Sequence, residues 1–247
     1  VVAGPDGNTD AGTITIITNP KTGITSVSNA ASFEGGRNTE TDDEFRARYY
    51  VSTDFAGGVN LDAIIAAIYE NVEAVIAVTG EENDTDETNA SGLPPHSIEL
   101  VVYGGLDEEI AKSIHRRKGA GIQTYGNVTV PVVDAAGNIK NICFSRPAPV
   151  NVWVKVFNLQ TDNTFPLDGI EQIKQRLAEY IGSDTRGGLN IGQNVICVAL
   201  PTEVFKVQGV VDFDLQISSD GETYSWKNIT IAAREKAVTN EDMVVVE

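Results

Sequence analysis

Apolar side chains recur along this chain with two periods, one close to four and one of two, and the stretches that carry them alternate. Over residues 60–71, Leu61, Ile64, Ile65 and Ile68 fall at helical spacing, which predicts an amphipathic helix. Residues 106–118 repeat the pattern, with an acidic start, a basic end and a buried face of Leu106, Ile110, Ala111 and Ile114. That charge order suits the helix dipole. A third helix is expected over 168–181, carrying Ile170, Ile173, Leu177 and Ile181. Thr41-Asp42-Asp43-Glu44 has the form of a capping box, so a helix should follow it with Phe45 and Tyr49 on one face, ended by Gly57-Gly58. The run 190–205, broken by Pro201, reads as a short helix ending near Phe205.

The two-residue period predicts strands. Val128, Val130 and Val132 alternate with Thr129 and Pro131, and the proline assigns that strand to an edge or a bulge. The turn Asp134-Ala135-Ala136-Gly137 leads to a strand over 138–144. Val150, Val152, Val154 and Val156 form one face of a further strand, and Val211, Phe213, Leu215 and Ile217 one face of another, followed by the hairpin signal Ser219-Asp220-Gly221. Strands are also expected at 13–18, 73–79, 96–103, 228–232 and 243–246. Residues 81–92, acidic and rich in Asn, Thr and Ser, read as a surface loop.

These elements predict an α+β protein of several small α/β modules. Residues 1–40 read as an extended β segment, the end of an upstream domain. Residues 41–146 form a central α+β domain, and 147–247 a C-terminal one. The division rests on Arg146-Pro147-Ala148-Pro149, where paired prolines stiffen a linker. The order strand, helix, helix, strand, strand after residue 150 suits a two-layer sandwich, and a ferredoxin-like arrangement is compatible with it. The opening residues carry neither an initiator Met nor the regions of a signal peptide, so a fragment of a longer protein is expected.

Charge narrows the choice of partner. The 35 acidic against 18 basic side chains leave a formal net charge of −17, which repels phosphate backbones and anionic lipid and disfavours nucleic acid. No stretch is apolar for long enough to suggest a membrane span. Cys143 and Cys197 sit in separate apolar runs with no second Cys or His at ligand spacing. They read as buried, reduced thiols that fit synthesis in a cytoplasm.

Candidate chemistry is sparse. His96 and His115 lack metal-ligand neighbours in the sequence, and His115 falls where a cation complements a helix C-terminus. The acidic run 81–87 departs from a calcium loop because Asn89 stands where a glycine is needed. No Gly-rich phosphate loop or nucleophile elbow is present, and the Gly-Gly pairs read as turns. No catalytic, cofactor or metal residues are therefore assigned. Arg37, Arg46 and Arg48 close to Glu40 and Asp42 form a mixed cluster at a helix start. It reads either as an exposed ion-pair network or as a subunit contact, for which arginine forks are suited.

A family resemblance enters with the order of several short motifs. Gly7-Asn8, Ala11-Gly12-Thr13-Ile14, the stretch Gly23-Ile24-Thr25-Ser26-Val27-Ser28-Asn29, Gly35-Gly36, and then Glu40-Thr41-Asp42-Asp43-Glu44-Phe45-Arg46-Ala47-Arg48 resemble the baseplate J-like pattern. Pro95-His96-Ser97-Ile98-Glu99-Leu100, Gly119-Ala120-Gly121-Ile122-Gln123-Thr124-Tyr125-Gly126 and Phe144-Ser145-Arg146-Pro147 are similar to the middle of phage and prophage members. The resemblance implies a wedge subunit of a contractile-tail baseplate. Such a subunit is made in the bacterial cytoplasm and built into the virion tail, where it contacts itself and neighbouring wedge proteins. It implies no catalytic residues, cofactor, nucleic acid, membrane or small-molecule substrate. The alternatives are a tail-associated hydrolase using two carboxylates, or a carbohydrate-binding module presenting Trp153, Trp226 and tyrosines on one face.

Overall fold

The computed structural model of the chain describes residues 7–19, 21–33, 36, 41, 42, 45, 60–183 and 187–247. They form an α+β fold with two separate apolar cores.

The first core begins with α1 (Leu61–Asn71). Asn60 caps it, its side chain accepting from the backbone N–H of Ala63, and Ile64 and Ile68 turn one buried face inward. The chain returns as β1 (Val75–Asn83), pairs antiparallel with β2 (Ser97–Gly104), and follows α2 (Asp107–Arg117) to β3 (Gln123–Tyr125), which is parallel to β2. β1 is longer than expected: Glu81, Glu82 and Asn83 stand opposite Glu99, Ile98 and Ser97. The backbone ladder runs on for as long as β2 offers a partner, whatever the polarity of the side chains. On α2, Ile110, Ala111 and Ile114 are buried as the periodicity requires. Leu106 is not. It is the extended N-cap residue, off the helical face, and nearly half exposed.

The hairpin of β4 (Val128–Val133) and β5 (Ile139–Phe144) covers the same core with Val132, Ile142 and Phe144. The Asp134 carboxylate closes its turn, accepting from the backbone of Ala136 at 2.9 Å and of Asn138 at 2.8 Å.

The expected linker is largely paired. β6 (Ala148–Asn151) lies parallel to β9 (Glu235–Val238), so the Pro-rich stretch is part of a ladder. β7 (Trp153–Thr161) is the centre of a three-stranded sheet in the order β10-β7-β8, with β8 (Val210–Ser218) antiparallel and β10 (Val244–Val246) parallel to it. The helix α3 (Gly169–Ile181) brings Ile173, Leu177 and Ile181 onto this sheet, while Ile170 stays partly exposed. Pro201 lies in the first turn of the short α4 (Leu200–Val204), where its missing N–H costs nothing. Three strands rather than four make this a two-layer arrangement without the sheet of a ferredoxin-like fold.

Two expected strands do not form as strands. Residues 228–232 contribute only Ile229 opposite Val195. Residues 13–18 form no strand; nearby, Thr9 and Phe33 exchange two backbone hydrogen bonds and the Asn29 carboxamide accepts from Ile14. β-branched composition favours extended backbone, but a ladder needs a partner strand.

Candidate subunit interface

Of the five residues singled out as a possible subunit contact, the structure describes one. Asp42 is exposed, one residue after Thr41, whose carbonyl accepts from the Phe45 backbone as a helix start requires. Arg37, Glu40, Arg46 and Arg48 lie outside the described residues.

The other sequence candidates occupy structural positions. His96 does have an acidic neighbour, Asp86, at 2.9 Å from Nε2 across the 84–96 loop, a pair that sequence spacing does not reveal. Both side chains are largely exposed, so the pair is worth little. His115 sits in the last turn of α2, with Nδ1 buried and making no hydrogen bond. Among the described residues no group of three or more His, Cys, Asp or Glu side chains could hold a metal ion. The acidic loop is organised by Asn83. Its amide nitrogen reaches the carbonyls of Glu87, Leu93 and Pro94, and its oxygen accepts from the Thr85 backbone and hydroxyl. Trp153 is half-buried under the turn at Gly221, and Trp226 is half exposed. Cys143 and Cys197 are both free, and burial pushes the Cys197 thiol up to about 11.

Two depressions mark the described surface. One, about 370 Å³, is lined by Asn8, Thr9, Asp10, Thr13, Ser32 and Phe33, and the other, about 470 Å³, by residues 158–160 and 212–214. Both are open to solvent.

Several polar contacts among the described residues lie at or beside the junction of the two cores, on residues the sequence did not single out as a site. Glu99 is 3% exposed although it is an acid on β2. The guanidinium of Arg234 meets it with Nε at 3.0 and 2.9 Å and Nη2 at 2.6 Å, and Ser145 donates its hydroxyl to Oε1 at 2.5 Å. These bonds to Glu99 raise the Arg234 pKa above its already high value. Arg146 lies over the Phe144 ring and donates to the carbonyls of Val102, Gly104 and Gly105 and to the Asp107 carboxylate. Lys236, fully buried, donates to the carbonyls of Gly187 and Leu189 with its ammonium 5.4 Å from the centre of the Tyr103 ring. The signal that could have found Glu99 is its place as the one charge in the apolar run Ile98–Val102, since an acid there must be paired to be buried.

Surfaces suited to protein contact are apolar and exposed. Ile14, Ile16, Ile24, Val27 and Phe33 all face solvent in the N-terminal segment. Val133 and Ile139 stand opposite each other near the tip of the β4–β5 hairpin, about two thirds exposed.

Comparison with known proteins bears on the N-terminal segment first. Residues 1–36 match the family model described as the baseplate J-like protein barrel domain. Among solved structures, one similar chain comes from the "Cryo-EM structure of the anti-feeding prophage (AFP) baseplate, 6-fold symmetrised". The similarity has a TM-score of 0.47 and 12% identity, over 91% of this chain and 47% of that one. This chain thus spans about half the length of that one. No curated protein matches the sequence. The family whose model matches residues 1–36 is the one that the order of motifs resembles.

Proposed function

We propose that this chain is a structural wedge component of a contractile phage or prophage tail baseplate, working by assembly and not by turnover of a substrate. The observation that carries the reading is the family match over residues 1–36, the same segment in which the motif series starts. The exposed apolar side chains of that segment supply surface for contact with other subunits. The partners are other baseplate wedge proteins and further copies of the chain. The formal charge of −17 suits a partner with a basic face and opposes nucleic acid and anionic lipid. On this reading the protein is made in the bacterial cytoplasm and resides in the virion tail baseplate.

The same reading divides the chain into the end of an upstream domain at 1–40, a central domain at 41–146 and a C-terminal domain at 147–247. Two separate apolar cores support the second boundary. The Arg37, Glu40, Asp42, Arg46 and Arg48 cluster is the first contact to test. Co-expression with the proteins encoded beside it, followed by affinity purification, should recover a defined complex. Reversing charge at Arg46 and Arg48 should weaken that complex while leaving the chain folded. Failure of the unaltered chain to bind any tail protein from its own locus would sink the assembly reading.

A further inference from the structure

We propose that the two cores form a clasped hinge, pivoting at Pro147 and held shut by the ion pair of Glu99 with Arg234. The residue before the pivot belongs to the first core. Arg146 donates its backbone N–H to the Asn127 side chain at 3.1 Å, and its guanidinium is fixed on the carbonyls of Val102, Gly104 and Gly105. The residue after it belongs to the second core, because Ala148 donates to the Arg234 carbonyl at 2.9 Å and opens the β6–β9 ladder. A single residue therefore carries the chain from one core to the other.

Apolar burial does little to hold the two together. Thirteen buried side chains make up the first core and seventeen the second among the described residues, whereas the cluster that bridges them is Ala77, Val101 and Ile191 with Tyr103 packed beside it. Among the described residues no pair of helices or strands packs extensively across the divide. What fixes the orientation is polar. Arg234 reaches across to Glu99 and the Ser91 carbonyl, Ser145 completes the Glu99 carboxylate, and Lys236 faces the Tyr103 ring. Glu99 is buried while Arg234 stays 42% exposed; a buried carboxylate left without its partner is strongly unfavourable, so the pair selects the geometry in which Arg234 reaches Glu99. Swinging open at Pro147 would return the Glu99 carboxylate to water, where the Arg234 side chain already partly lies, and would leave each core with its own apolar packing. Hinges are such short crossing segments between rigid bodies.

The test is the distance between spin labels on the full chain, one at Asp86→Cys and one at Leu167→Cys, both exposed positions, in a Cys143→Ser background. The clasped chain should give one narrow distance. Arg234→Met should shift part of the population to a second, broader distance with helix and strand content retained. Pro147→Gly should leave the narrow distance while the clasp is intact and widen the distribution beyond Arg234→Met alone when the two are combined. Arg234→Lys, which keeps the charge but loses the fork, should fall between. A single narrow distance in folded Arg234→Met overturns the proposal. So does loss of both cores in Arg234→Met and Arg234→Lys alike, since it would show that the pair holds up the fold and does not merely orient its halves.

Discussion

Arg146 meets Asp107 at the first turn of α2 with Nε at 3.1 Å and Nη2 at 2.5 Å, and the same guanidinium takes up the carbonyls of Val102, Gly104 and Gly105. The two glycines have φ of 79° and 73°, so their carbonyls turn toward one point that only a planar, multi-donor cation can serve. Arg146→Lys should therefore fail as a conservative change. It should lose about 2 kcal/mol, the scale of hydrogen bonds to a charged group, read as a drop in the urea midpoint with an unchanged slope.

Gly126 is held at φ 154° with the Phe144 backbone against it, and a β-carbon there would stand 2.1 Å from the Phe144 carbonyl carbon. Relief would require moving β5 out of the core. Gly126→Ala should exceed the usual loss of about 0.5–3 kcal/mol and appear as a sharp fall in soluble yield and melting temperature. Gly119→Ala, whose added β-carbon would meet only the Ile122 side chain at 3.5 Å, should cost far less.

Asn83 is buried and its carboxamide closes the 84–96 loop by donating to three carbonyls. Asn83→Asp swaps the donors for a carboxylate facing those oxygens, and should be worse than Asn83→Ala. Limited proteolysis should cut the loop faster in both variants, most in Asn83→Asp, with α1 and α2 intact.

Three turns carry carboxylates held below the ordinary range. The Ser218 hydroxyl and the backbone of Thr223 and Glu222 lower Asp220, the Asn138 backbone lowers Asp134, and the Thr164 hydroxyl and backbone lower Asp162. With the folded value below the unfolded one of about 3.9, each turn stabilises the fold fully above that pH, and the contribution fades as pH falls toward the folded value. Backbone amide shifts of Asn138, Thr164 and Thr223 should stay constant from neutral pH down to about 4 and move only below it. Movement beginning well above that range would refute the assignment.

Cys197 is 1% exposed with its thiol pushed up to about 11, whereas Cys143 is only half-buried, near the Thr129 hydroxyl on the outer face of the β4–β5 hairpin. A maleimide at neutral pH should label Cys143 alone in the native chain and both thiols after denaturation, as read by intact mass.

Much of the fold was legible in the chain because helices and two-faced strands repeat at short range. Ile64 with Ile68, Ile110 with Ile114 and Ile173 with Leu177 declare their buried faces within a single turn or two. Leu106 and Ile170 follow the same spacing yet are exposed, since they lie at helix beginnings where the neighbouring layer does not reach. β3 and β9 gave no signal: three or four residues are too few for alternation, and their existence depends on β2 and β6 being beside them. The expected interface around Asp42 rests on local charge, whereas the polar contacts between the cores join residues 135 positions apart.

The sequence by itself determined the amphipathic helices and the long two-faced strands, which side chains are apolar enough to be buried, the excess of negative charge and the series of baseplate J-like motifs. Those properties follow from residues within a few positions of one another. Tertiary structure alone decided that Glu99 is paired with Arg234, that the Pro-rich stretch at 148–151 is a strand, and that Arg146 and Lys236 spend their charges on backbone carbonyls. The reason is that a buried charge or an unpaired strand is settled by whatever the folded chain brings next to it, and that neighbour is distant in sequence.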